Sequence, residues 1–223
     1  MPKQTNKKEI DPCMLLTRSF SVSDFRAMPP EEGKTTREIE GHAAVFASKT
    51  AIGDWYFEVI ERGAFDGCDF TDVLMCINHD IRKIPLARSR RNNANSTMQI
   101  SVDDIGLRVI AAVDVENNFE ARQVVSSIDR GDMSGMSFYF CVAEDRWENL
   151  NTDMPTRHIL KIAQVFELGP VNFPAYEQTD ISARDKSALD NAKRALDNAR
   201  SQELDNSKAV QILQIRNKIK GGI

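Results

Sequence analysis

The stretch Arg130-Gly131-Asp132-Met133-Ser134-Gly135-Met136-Ser137-Phe138-Tyr139-Phe140-Cys141-Val142-Ala143 decides how this chain is read. A helical period ends in it and a strand period begins. Upstream, Phe119, Val124, Val125 and Ile128 recur at helical spacing over residues 119–130. Asn117 or Asn118 can cap the start of that helix and Gly131 its end. Downstream, Met136, Phe138, Phe140 and Val142 fall on one face of a strand, with Ser137, Tyr139, Cys141 and Ala143 on the other. A face that apolar must be buried, so a sheet with a core behind it is expected. Ser137 then starts the strand, held rigidly and pointing away from the apolar side.

Working outward, short apolar or alternating runs predict further strands at Ile39 and Ala43–Phe46, Trp55–Ile60, Val73–Ile77, Met98–Val102, Leu107–Val115 and His158–Leu168. Asp103-Asp104-Ile105-Gly106 reads as a hairpin turn. Gly169-Pro170-Val171-Asn172-Phe173-Pro174 holds two prolines and is expected to be irregular. Residues 1–36 read as an extension, with Met14-Leu15-Leu16 as a patch that docks on the body. Residues 37–182 are then the main domain. Residues 183–223 read as a helix rich in alanine and mixed in charge, with Leu-Asp-Asn repeated at 189, 196 and 204. Those spacings permit a weak coiled-coil seam with Ala192 and Ala199; a helix folded on the body fits them equally.

The 223 residues are 41% hydrophobic and 28% charged, an ordinary globular composition that excludes collagen-like, mucin-like and fully disordered chains. No apolar run is long enough to span a bilayer, and the basic N-terminus has no apolar stretch behind it, so neither a membrane nor a secretory route is expected. Four scattered cysteines suit a reducing compartment. The net charge of −4 argues against a dedicated nucleic-acid binder. It is unevenly placed: residues 183–223 carry nine basic and five acidic side chains, while the rest carries −8.

Phosphate-cradling glycine motifs and HExxH are absent, and no cofactor is expected. Cys68, Cys76 and His79 lack the spacing of a metal site, so no metal is expected either. Histidine is scarce: His42, His79 and His158. His42 starts a strand and reads as a half-buried or surface residue. His79, in Asn78-His79-Asp80, ends an apolar run, where a reactive side chain or a simple turn are equally plain readings. A serine needs a base to take its proton. Ser137 with His79 is therefore one possible hydrolytic pair, with Ser134 in the preceding turn as the competing serine.

Several segments, in order, resemble the prohead (capsid maturation) serine proteases of tailed bacteriophages, a family similar in fold to the herpesvirus assemblins. They are Glu40–Phe46, Phe57–Phe65, Asn78-His79-Asp80, Asp104–Leu107, Arg130–Phe138, Phe166-Glu167-Leu168 and Pro174-Ala175-Tyr176. The family usually carries Gly-Arg after the histidine motif, where this chain has Ala87-Arg88, which puts the geometry of the following strand in question. The resemblance implies an α+β fold, mainly an antiparallel β-barrel with flanking helices, plus the C-terminal helical tail. It implies a serine endopeptidase that cuts the major capsid protein, its scaffolding segment and itself inside the immature procapsid, in the host cytoplasm, with self-association as a further contact. Ser137, His79 and Glu167 match the family's nucleophile, base and acidic positions. Backbone amides near Gly169–Val171 are the candidates for an oxyanion hole. The alternative is a non-enzymatic assembly or scaffolding protein on the same fold.

Herpes-type proteases use a second histidine, which makes His158 a rival to Glu167. The two are nine residues apart, so in an unbroken strand they face opposite sides. Glu167 is preferred because a buried carboxylate needs a partner, which His79 supplies. A bulge between Ala163 and Val165, hinted at by Gln164, would undo the parity argument.

Overall fold

The computed structural model describes residues 14–21, 24–172 and 186–220. In chain order the elements are β1 (Met14–Ser21), β2 (Arg26–Ala27), β3 (Thr36–Val45), β4 (Thr50–Ile52), β5 (Tyr56–Ile60), β6 (Asp72–Met75), β7 (Ala87–Arg90), β8 (Met98–Val102), β9 (Gly106–Asp114), α1 (Phe119–Asp129), β10 (Gly135–Glu148), β11 (Thr156–Val171) and α2 (Lys186–Lys220). They pair into two sheets. One runs β1-β10-β11-β5-β4, with β6 also on β11 and β7 beyond it; the other runs β2-β3-β9-β8. The fold is thus mainly β with two helices, one of them C-terminal. Among the described residues no ladder closes either sheet into the expected barrel.

The apolar face of β10 lies in the core between the sheets. Met136, Phe138 and Phe140 are fully buried, and the Phe138 and Phe140 rings stack 4.1 Å apart. The sheets come close at Gly41 of β3, where a Cβ would meet the Phe25 backbone at 3.0 Å and Met136 Sδ at 3.2 Å. The β8–β9 turn forms as its sequence requires: Asp103 Oδ1 accepts from the amides of Ile105 (2.8 Å) and Gly106 (3.0 Å). In α1 the Asn118 side chain caps the start by accepting from the Ala121 amide, and Gly131 follows the end at φ 76°. The buried stripe is Ala121, Val124, Val125 and Ile128. Phe119, expected on that stripe, is 66% exposed, because its angular position falls off the 121–124–128 row.

The register along β11 positions the functional site. β5 pairs parallel with one end of β11 (Thr156↔Phe57 through Ile159↔Ile60), and β6 pairs parallel with the other (Glu167↔Leu74, Leu168↔Met75). Between them Asp69 bridges Gln164. Residues 56–75 therefore travel along β11 and deliver the loop after β6 to its C-terminal end. β7 forms with Ala87 in its first position, paired with Met75 and buried. The altered Gly-Arg motif does not prevent that strand.

Two expectations are corrected. β11 continues through Gly169 and Pro170, which pair with Ser137 and Met136. The Pro170 carbonyl accepts from the Asn78 amide (3.1 Å), on the β6 side. N and C=O of one strand residue point the same way, so the missing N–H falls beyond the end of β6 and the β10 ladder loses nothing. Part of the expected N-terminal extension is also built into the sheet: β1 pairs with β10 along its length, from Met14↔Val142 to Ser21↔Gly135. Buried Arg18 donates to Glu58 and to the Tyr56 hydroxyl (3.2 Å), while Arg157 donates to Glu58 (3.3 Å) and Asp145 (2.6 Å). The two guanidiniums hold Glu58 below the ordinary carboxylate range although burial opposes it.

α2 is helical, as expected. Ala195 and Leu196 are buried, and Leu196 packs with Ile52, Tyr56, Trp55, Trp147 and Leu150. Arg200 donates to the carbonyls of Leu150 (3.2 Å) and Thr152 (3.1 Å). This part of the helix is folded on the body, whereas residues 201–214 are exposed throughout. No helix among the described residues is long and apolar enough to cross a membrane. Cys68 and Cys76 are free, and Cys141 is disulfide-bonded.

Candidate active site

Ser137 sits at the start of β10, opposite Gly169 of β11. Cross-strand partners share a face, so Ser137, Tyr139, Glu167 and Gly169 lie on the side of the sheet away from Phe138. The absence of a side chain at Gly169 is required: a Cβ there would meet the Cys76 carbonyl oxygen at 2.0 Å. The chain leaving β6 crosses directly over Gly169 and reaches Ser137.

That chain is the β6–β7 loop, closed at its base by the Leu86 amide on the Met75 carbonyl (2.8 Å). Asn78 and His79 both adopt left-handed backbone, at φ 50° and 60°. Asparagine tolerates this conformation better than most residues, and histidine is also among those found there more often than average. Asn78 anchors the bend at two points. Its amide donates to the Pro170 carbonyl, and its side-chain Oδ1 accepts from the Asn172 amide (3.0 Å).

The bend puts the imidazole between two side chains. His79 Nε2 is hydrogen-bonded to Ser137 Oγ, and His79 Nδ1 meets Glu167 Oε2 at 2.6 Å. With Glu167 ionised, Nδ1 carries the hydrogen and donates it, leaving Nε2 to accept from the serine. Glu167 is 1% exposed and its Oε1 is buried without a hydrogen-bond partner. Burial pushes its pKa up, against the opposing hydrogen bond and charge of His79. Ser137 is also fully buried, whereas the His79 side chain is 23% exposed. Solvent therefore reaches this trio from the imidazole side.

The other candidates lie elsewhere. Ser134 precedes β10, and His79 Nε2 is taken by Ser137. Free Cys76 is pushed up to about 12 by burial and by the charges of Glu167 and Asp80; Cys68 rises as far, through burial and Asp69. Neither is a thiolate near neutral pH. His42 is buried rather than half-exposed. Its Nε2 meets Asp103 (2.9 Å) and its Nδ1 meets Asp24. Burial alone would lower its pKa, but the hydrogen bonds to Asp103 and Asp24 outweigh that and raise it.

His158 pairs with Glu61 (2.6 Å) and lies against Val59, at the far end of β11 from Glu167. Nine residues of strand make that separation roughly 25–30 Å. Distance, not parity, keeps it from the serine. Parity fails as an argument, because the β10–β11 register shifts skip Leu160, Ala163 and Phe166 on β11. The expected oxyanion amides at Gly169–Val171 are also misplaced. The carbonyls of Leu168 and Pro170 face the β6 side, so the amides of Gly169 and Val171 face the β10 ladder, and Pro170 has none.

Sequence reasoning left Asn78 without a role and gave Gly169 a different one, as a candidate oxyanion amide. The αL-compatible asparagine before the histidine was the available signal for the first. The second needed the tertiary crossing of Cys76.

Comparison with known proteins gives one result. The family model described as caudovirus prohead serine protease matches residues 24–194, a span that holds Ser137, His79 and Glu167. No curated protein and no solved structure matches. On the strength of that match over most of its length, the chain belongs to the caudovirus prohead serine protease family.

Proposed function

We propose that this chain is a serine endopeptidase of procapsid maturation in which Ser137 is the nucleophile, His79 the general base and acid, and Glu167 the orienting carboxylate. The observation that carries the reading is the unbroken relay Ser137 Oγ–His79 Nε2 and His79 Nδ1–Glu167 Oε2. Ser137 Oγ attacks the scissile carbonyl as His79 Nε2 takes its proton. The imidazolium is stabilised by Glu167 and returns the proton to the leaving amine, releasing the C-terminal fragment. Water then attacks the Ser137 ester as His79 takes its proton; the ester C–Oγ bond breaks, His79 returns the proton to Ser137 Oγ, and the N-terminal fragment leaves as a carboxylic acid. Glu167 also keeps the hydrogen on Nδ1, so that Nε2 is always the atom presented to the serine.

The substrates that fit a protease of this family are the major capsid protein with its scaffolding segment, and the chain itself, inside the procapsid in the host. The test is incubation of the purified chain with the capsid protein of its own phage. Wild type shortens that protein at a discrete site and shortens itself over time by mass spectrometry; Ser137→Ala does neither. Processing that survives Ser137→Ala and is lost in Ser134→Ala reassigns the nucleophile. Absence of processing, with Ser137 inert to a fluorophosphonate, favours the non-enzymatic assembly role.

A further inference from the structure

The loop that carries His79 also carries exposed apolar side chains. Ile81 is 55% exposed and Ile84 is 83% exposed. Phe119, at the start of α1, is 66% exposed. The loop is tied to that end of α1 by the Lys83 Nζ–Glu120 Oε1 ion pair at 2.8 Å, next to Phe119. The histidine loop and the start of α1 thus present three large exposed apolar residues, one of them two residues from His79.

We propose that Ile81, Ile84 and Phe119 form the docking surface for apolar side chains of the substrate polypeptide just C-terminal to the scissile bond. The proposal rests on the hydrolase reading above. Its occupant follows from the chemistry of that reading. The imidazole must hand its proton to the leaving amine, so His79 stands on the leaving-group side of the carbonyl. The loop continuing from His79 therefore flanks the residues that depart with that amine. Ile81 is two residues from His79 and its amide donates to the His79 carbonyl (3.0 Å), which keeps the turn tight against the site. An extended substrate advances about 3.3 Å per residue, so its first few departing residues pass over this surface. With Ser137 and Glu167 buried, a chain reaching the serine arrives past His79 and this lip. Apolar departing residues would be selected, because each covers surface otherwise left in water.

The test uses the full chain and a peptide library made by digesting a cellular proteome, with cut sites read by mass spectrometry. Labelling of Ser137 by a small fluorophosphonate, which does not extend to the lip, normalises each protein for reactive serine. Wild type is expected to enrich Leu, Ile, Val, Phe or Met within the first three positions after the cut. In Ile81→Ser/Ile84→Ser/Phe119→Ser that enrichment disappears, and the ratio of kcat/KM on an enriched peptide to the labelling rate falls at least about tenfold. An unchanged cut-site profile and ratio in the triple variant overturns the proposal while leaving the hydrolase reading intact. So does a wild-type dimer that the triple variant converts to monomer with the same profile, since a second copy then covers the patch. A wild-type protein whose Ser137 is never labelled removes both readings together.

Discussion

At the residue scale, Glu167 has two opposed effects. Its folded pKa lies above the ordinary 4.5 because burial disfavours the charge. A carboxyl raised in this way binds its proton more tightly folded than unfolded. It therefore contributes stability at low pH, which is lost as pH rises through 4.5 toward the raised value. Glu167→Gln removes that dependence. Urea unfolding across pH 4–8 should show the variant gaining on wild type as pH rises, while peptide cleavage falls by roughly two to four orders of magnitude. Asn78 offers a second check. Asn78→Gly keeps the left-handed backbone and loses only the side-chain bond to Asn172; Asn78→Ala loses the bond and strains the bend. A bond of this kind is worth about 1 kcal/mol, so kcat should fall several-fold in Asn78→Gly and further in Asn78→Ala, with KM little changed. Equal loss of kcat in both would show that backbone strain plays no part.

At the element scale, the N-terminal strand is held by charge as well as by its ladder. Arg18 and Arg157 share Glu58, so three buried charges join β1, β5 and β11. Breaking a buried pair by removing one partner costs about 3–5 kcal/mol. Arg18→Ala should approach that loss in denaturant titration, and hydrogen exchange should show β1 amides losing protection before those of β11. A loss below about 1 kcal/mol would mean that Arg157 alone satisfies Glu58. The strand beside the serine thus depends on a residue some way from the relay. Strands β5 and β6 show the same economy of placement: by running parallel to β11 they bring the histidine loop to the strand end where Glu167 stands.

At the scale of the whole molecule, α2 is divided between a docked part and an exposed part. Removing residues after Gln202 leaves Leu196 and Arg200 in place, and stability should change by less than about 0.5 kcal/mol. Ending the chain at Ser182 uncovers the cluster of Ile52, Tyr56 and Trp147 and should cost about 2–4 kcal/mol, the range for losing one large buried aliphatic side chain. Thermal unfolding of the two truncations checks this directly. If the longer truncation is as stable as wild type, the docked segment adds nothing to the fold.

Local signals determined a good deal. The alternation from Met136 to Val142, the Asp103–Gly106 turn and the Asn118 and Gly131 caps depend on neighbours in the chain, and each appears where its residues place it. The residues by themselves offered Ser137 with His79 as one possible pair; Glu167 joined it only through the resemblance, since the three come from separate elements. What tertiary structure decided is what distant segments impose on one another. Pro170 continues a strand because its missing donor faces a side with no partner strand. His158 is remote because β11 is long, while bulges, of which Gln164 in the apolar row gave one hint, erase the parity that seemed to exclude it. Gly169 is required because the backbone of Cys76 occupies the space its side chain would fill, a constraint written in no local pattern.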